Sequence, residues 1–287
     1  MKFINRYLPY IATACLTLVI GMSATAVFGQ SAAAGKHPKG EFCSNNNWGS
    51  DERVSANDLR EVIVASTGSV NVDAGKNGGV SVKGEDRSDV LIRACVQAWG
   101  KTEEAARSAL AGIRLNTGGT IRAESSGDDN WSVSYQILVP RSTDVNLTAH
   151  NGGISVSGVS GTSEFQTTNG GINVSDVSGT VKGRTTNGGV NVSLSGTTWK
   201  GTGLDVVTTN GGVNLTMPEN YAANIETGTV NGGLKSDIPA LSVTTENIVG
   251  DRPSRPRTSR IVTSINGGGA PIRVLTTNGG VKITTKD

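Results

Sequence analysis

Asn151-Gly152-Gly153-Ile154-Ser155-Val156, Asn169-Gly170-Gly171-Ile172-Asn173-Val174, Asn187-Gly188-Gly189-Val190-Asn191-Val192 and Asn210-Gly211-Gly212-Val213-Asn214-Leu215 write one phrase four times. The first three copies begin eighteen residues apart, and the next intervals are twenty-three and twenty-one. The same core stands earlier at Asn77-Gly78-Gly79 and later at Asn231-Gly232-Gly233, Asn266-Gly267-Gly268 and Asn278-Gly279-Gly280. Self-similarity at such a period marks a repeat architecture, in which each copy is one supersecondary unit.

Within a copy, Asn-Gly-Gly supplies residues that tolerate positive φ and so permit a sharp bend. After it, Ile154 and Val156 point one way while Ser155 and Ser157 point the other. A second bend follows at Gly158 to Thr162, and on the return strand Phe165 and Thr167 share a face. A unit this short cannot bury its own apolar stripe, so copies must stack into a continuous thin core. Parallel stacking adds ~4.8 Å per rung and sets the corner asparagines above one another, where their side chains can share hydrogen bonds. Asn-Gly is also the strongest short hairpin turn, so an antiparallel meander competes with this reading. Constant register over three copies, two or three apolar residues per strand and only 4% aromatics favour the stack. The expected fold is all-β: a single-chain parallel β-solenoid with one short helix near its N-terminal part.

The opening residues read as a secretory signal peptide, 1–29. Lys2 and Arg6 precede the apolar run Ile11 to Ile20, and cleavage fits after Ala26 or after Gly29. An uncleaved anchor is the alternative, but the run is short of the ~20 residues a span needs. Residues 30–59 read as a leader and N-terminal segment. Residues 60–144 form a β-rich part containing a helix at 102–111, with Thr102 as cap, Glu103 and Glu104 in its first turn and an apolar stripe of Ala106, Ala109 and Leu110. The repeat solenoid occupies 145–287, interrupted by an Arg/Pro-rich loop at 251–260. Its last strand either closes the stack or leaves an edge. The insertion Thr197 to Gly203 places Trp199 on a loop or against a face.

Removing Lys2 and Arg6 takes the formal charge from +2 to 0. A neutral exported chain excludes a general nucleic-acid or acidic-membrane binder, and no stable membrane span is expected after cleavage. In an oxidising compartment Cys43 and Cys95 are a disulfide candidate, with two unpaired thiols as the alternative. Catalytic content is sparse. His37 lies in the leader, and His150 takes the turn-flanking place held elsewhere by Thr168, Thr186 and Thr209. No nucleophile elbow, zinc motif or phosphate loop is present, so no cofactor or metal is expected. A polysaccharide-cleaving enzyme would need clustered carboxylates, for which Glu164, Asp176, Asp205 and the pair Asp128-Asp129 are the candidates. Arg252, Arg255, Arg257 and Arg260 form either a solvated loop or a contact for an anionic partner.

Thr167-Thr168-Asn169-Gly170-Gly171-Ile172, Thr185-Thr186-Asn187-Gly188-Gly189-Val190, Thr208-Thr209-Asn210-Gly211-Gly212-Val213 and Thr276-Thr277-Asn278-Gly279-Gly280-Val281 resemble the bacterial family of exported β-strand-repeat proteins named "putative adhesins". The resemblance covers roughly Glu61 to Thr285 and implies a solenoid-like domain in the periplasm, at the cell surface or outside the cell. The expected function is a non-enzymatic adhesin-like protein that binds or scaffolds through a Ser/Thr/Asn-rich face. Its expected partners are cell-envelope polysaccharide, another envelope protein, or a second copy joined through a terminal strand. A polysaccharide-active β-helix enzyme and an envelope-stress sensor scaffold are the alternatives.

Overall fold

The computed structural model describes residues 42–43, 53–127, 130–241 and 259–286. Each repeat folds as a rung of two strands joined at its Asn-Gly-Gly corner, and the two strands lie in opposite sheets. Sheet B takes the strand that precedes the asparagine or ends at it, and sheet A takes the strand that follows the glycines. The rungs are named here by that asparagine: Asn77 (Ser69–Asp73 and Val80–Glu85), Asn151 (Asp144–Asn151 and Ile154–Ser157), Asn169 (Thr162–Asn169 and Ile172–Ser175), Asn187 (Thr180–Asn187 and Val190–Ser193), Asn210 (Gly203–Asn210 and Val213–Met217), Asn231 (Ala223–Asn231 and Leu234–Ser236) and Asn278 (Pro271–Asn278 and Val281–Thr285). Neighbouring rungs pair in parallel in both sheets, and each sheet has ten strands. This is the stacked solenoid and not the meander.

The register is uniform. Val80, Ile154, Ile172, Val190, Val213, Val281 and Leu234 form one inward row in sheet A. From sheet B, Leu147, Phe165, Val206 and Val274 face them across the core. Between Phe165 and Val206 stands Gly183, where a Cβ would lie 2.2 Å from the phenyl ring, so the smallest residue makes room for the bulkiest. Trp199 lies in the loop between the Asn187 and Asn210 rungs. It is buried, and its indole N–H donates to the Gly179 carbonyl at 3.0 Å.

The corners are held by three sets of bonds. Backbone amides bridge successive rungs, as from Gly170 to the Asn187 carbonyl at 2.9 Å. A buried threonine two residues before the asparagine donates to the first glycine's carbonyl in the adjacent rung: Thr167 to Gly152, Thr185 to Gly170, Thr208 to Gly188 and Thr276 to Gly211, at 2.7–2.8 Å. This satisfies an acceptor that the bend would otherwise leave short of donors. Finally, each asparagine Nδ2 donates to the next Oδ1 along Asn231, Asn278, Asn210, Asn187, Asn169, Asn151 and Asn77, at 2.7–3.1 Å.

At four corners the first glycine is required for a reason other than the expected one. Gly152, Gly170, Gly188 and Gly211 do not occupy the positive-φ region. A Cβ on any of them would instead lie 2.0–2.1 Å from the carbonyl oxygen of the neighbouring corner's first glycine. Close approach of backbones, not handedness, selects the residue. Positive φ is found at two other corners, at Gly78 (145°) and Gly279 (156°), and at the opposite bends, at Gly158 (67°), Asp176 (51°) and Gly179 (91°).

Two further differences concern the chain's path. Asn266-Gly267-Gly268 is not a rung corner. It follows the strand Ser259–Ile265, which caps sheet B antiparallel to Ala223–Asn231, and Asn266 donates instead to the carbonyls of Glu219 and Tyr221. The Asn278 rung, last in sequence, neither closes the stack nor forms an edge. It lies between the Asn210 and Asn231 rungs in both sheets.

At the other end, Val54–Ala65, Asp89–Gly100 and Trp131–Pro140 extend sheet A, and Thr120–Ser125 and Ile113–Asn116 extend sheet B. The helix Glu103–Gly112 packs against the first two of these. Thr102 Oγ1 accepts from the Ala105 amide at 3.2 Å, and Arg60 donates to the carbonyls of Leu110 and Ile113 at the far end. Ala106 and Leu110 are buried as the stripe predicts, whereas Ala109 is exposed. Cys43 is disulfide-bonded to Cys95, with their Cα atoms 5.0 Å apart. The bond fixes the chain at Phe42–Cys43 to the outer face of sheet A, where Arg93 lies over the Phe42 ring at 5.7 Å.

Candidate functional site

Two long outward faces remain after the core is accounted for, and they differ in chemistry. On sheet A the four rungs from Asn151 to Asn210 present two ranks of uncharged groups, the first of which runs on into Lys282 and Lys235 and the second, at its other end, into Lys83. Ser155, Asn173, Asn191 and Asn214 stand in one register, and Ser157, Ser175, Ser193, Thr216 and Thr284 in the other. Asn214 donates to Asn191 at 2.7 Å and Asn191 to Asn173 at 2.8 Å. The Thr216 and Thr284 hydroxyls share a bond at 3.0 Å. These asparagines and threonines are therefore oriented before any ligand arrives, and the spacing is that of neighbouring parallel strands, ~4.8 Å.

On sheet B the outward position five residues before the corner asparagine is charged in five consecutive rungs, beyond which Asn146 stands beside Glu164. In spatial order these five read Glu164, Lys182, Asp205, Arg273 and Glu226, alternating in sign. Lys182 Nζ lies 3.5 Å from Glu164. Arg273 is 2.7 Å from Asp205 and 3.1 Å from Glu226. Arg184 adds a contact to Asp205 at 3.1 Å, and Arg260 one to Glu226 at 2.7 Å. Burial disfavours the charge on Arg273, but the hydrogen bonds and charges of Asp205 and Glu226 outweigh it, and the guanidinium is held charged more firmly than usual.

These pairings decide the fate of the carboxylate candidates. Glu164 and Asp205 are bound to cations, and Asp176 sits at a bend with φ 51°. The rungs bring none of the three together as an acid/base pair. Asp128 and Asp129 lie outside the described residues, as do His37, Arg252, Arg255 and Arg257. Of the arginines expected to contact an anion, the described one, Arg260, is paired with Glu226. His150 is exposed beside its corner. Among the described residues no group of three or more His, Cys, Asp or Glu could hold a metal ion, and no helix is long and apolar enough to cross a membrane.

The charged row escaped the sequence reading, although its signal was present. Counting back five from Asn169, Asn187, Asn210, Asn231 and Asn278 gives Glu, Lys, Asp, Glu and Arg. In chain order two acids fall side by side, and only the observed spatial order restores alternation.

The family model of Toastrack DUF4097 matches residues 62–284. Three solved structures are similar to the chain. A "putative cell adhesion protein" from Clostridium sporogenes is 10% identical with a TM-score of 0.40, covering 80% of this chain and 100% of that one. A "putative adhesin" from Bacteroides fragilis is 12% identical with a TM-score of 0.33, covering 83% and 98%. Another from Parabacteroides distasonis is 9% identical with a TM-score of 0.22, covering 78% and 97%. No curated protein matches the chain.

Proposed function

The chain belongs to the Toastrack DUF4097 family, and from that premise we propose that it is a non-enzymatic, exported, adhesin-like protein whose binding surface is the uncharged stretch of sheet A's outer face, across the rungs from Asn151 to Asn210. The observation that carries this reading is the rank through Asn173, Asn191 and Asn214, oriented by its own hydrogen bonds, beside the hydroxyl rank through Ser175, Ser193 and Thr216. A flat array of amides and hydroxyls at strand spacing suits a polymer that is itself a regular array of hydroxyls. Side chains that are already ordered lose little rotamer freedom on contact. Cell-envelope polysaccharide is the partner class that fits. The signal-like residues 1–29 and the Cys43–Cys95 bond support an oxidising compartment outside the cytoplasm.

The test is binding of the mature protein to soluble envelope polysaccharide, measured for the native chain and for a chain carrying Asn173→Ala, Asn191→Ala and Asn214→Ala. The triple variant should keep its β-sheet circular dichroism and lose about tenfold or more in affinity. Gln166→Ala, on the opposite sheet, should bind as the native chain does. A folded triple variant with unchanged affinity removes sheet A as the binding face.

A further inference from the structure

The Asn278 rung occupies a gap that the rest of the chain leaves open for it. Met217 ends the Asn210 rung, and Ala223 begins the Asn231 rung two places further along the stack. Residues 218–222 span the gap between them, and Asn266 fastens that span through the carbonyls of Glu219 and Tyr221. The occupant bonds on both edges. Gly211 donates to the Asn278 carbonyl at 2.9 Å on one side, and Gly279 donates to Asn231 at 3.1 Å on the other. The asparagine ladder runs unbroken through it.

Neither the backbone nor the asparagines say which rung belongs there, because every rung offers the same pattern. The outward charge on sheet B does, although on sheet A the same rung sets Lys282 beside Lys235. The gap is walled by two acids, Asp205 and Glu226, and Arg273 enters between them. Glu164 or Asp205 at that place would set like charges opposite one another on adjacent strands.

We propose that the gap between the Asn210 and Asn231 rungs is a strand-acceptor site, selective for a rung with a cation five residues before its asparagine, and that a second copy of this chain can fill it with its own residues 271–285. The occupant is argued from charge complementarity and identity of register. The segment that fits is present in every copy, and exchange of an identical element conserves all contacts. In an isolated chain the tethered segment wins by effective concentration; at high protein concentration exchange yields a dimer joined through both gaps. The proposal concerns a different surface from the polysaccharide face and stands independently of it.

The test uses two full-length variants refolded together from denaturant under oxidising conditions, one with Asn210→Cys and the other with Asn278→Cys. These positions are opposite one another in register, so a disulfide between the chains reports one chain's last rung in the other's gap. The mixed dimer should exceed by about tenfold that from Asn169→Cys with Asn278→Cys, and the excess should disappear when Arg273→Glu is added to the donor and persist with Arg273→Lys. No excess over the control pair, or an excess indifferent to Arg273→Glu, overturns the proposal. Hydrogen exchange on monomeric Arg273→Glu gives an independent reading: amides of 271–285 should lose protection by about tenfold or more while 162–187 keep theirs. Native protection of 271–285 in that variant overturns the selective role of the charge.

Discussion

The outer faces of the two sheets share the same rungs, the same register and the same strand spacing, yet they specify different things. Across its central rungs the face of sheet A is uncharged and stacks like on like: Asn173 accepts Asn191 as readily as Asn191 accepts Asn214. Such a ladder fixes register and is blind to order. The face of sheet B stacks unlike on unlike, and Arg273 is tolerated between Asp205 and Glu226 where another acid is not. The neutral ladder holds rungs together; the ionic row says which rung comes next. A repeat protein needs both, because interchangeable units stack equally well in wrong orders.

The comparison breaks most completely at the corner both faces depend on. Gly188→Val puts a side chain where the Gly170 carbonyl oxygen lies 2.0 Å from the first added atom. A backbone clash of that kind should cost more than about 4 kcal/mol in denaturant unfolding and separate the stack at that rung. A well-folded Gly188→Val protein would mean the corners are looser than described.

A control that touches neither face comes from the buried phenols. Burial pushes the Tyr221 phenol from 10.0 up to about 12, and Tyr135 is raised in the same direction, again chiefly by burial. An unfolded tyrosine ionises from about pH 10, so the unfolded chain binds fewer protons than the folded one above that value. Stability should therefore fall as pH rises from about 10 to 12, by up to about 1.4 kcal/mol per unit for each phenol. A flat alkaline profile would place these rings in contact with water.

The two faces should then separate by their response to salt. Arg273→Glu, which makes three successive acids, should cost about 2 kcal/mol at low ionic strength and roughly half of that in 1 M salt. Asn191→Ala on sheet A should cost about 1 kcal/mol at either ionic strength, since it removes neutral hydrogen bonds. Equal salt dependence for the two would erase the distinction. At the far end of the stack, Thr102→Ala removes the helix cap and should cost about 1 kcal/mol without altering either face, as read by near-ultraviolet circular dichroism and unfolding midpoints.

The solenoid was legible because its determinants are local. Eighteen-residue spacing, alternation of Ile172 and Val174 with Asn173 and Ser175, and the Thr102 cap all lie within one turn of reading. The asparagine ladder followed from the same spacing. Other features depend on what meets in space. The first glycine of each corner is chosen by a carbonyl in another rung, which no local rule displays. The place of the Asn278 rung rests on a charge relation between Asp205, Glu226 and Arg273, and Arg273 lies beyond a false corner at Asn266. The sheet A face was readable as composition; its two ranks became visible only once the rungs were in register.

Because signs alternate along sheet B, the stack has a rule for growing. Duplicating the eighteen residues of one central copy would set Glu164 against its twin, or Lys182 against its own. Duplicating two together, residues 151–186, inserts an acid and a base and leaves every neighbour opposite in sign. Gene duplication can therefore lengthen this rod in even steps, by ~9.6 Å at a time, while odd steps carry an electrostatic fault.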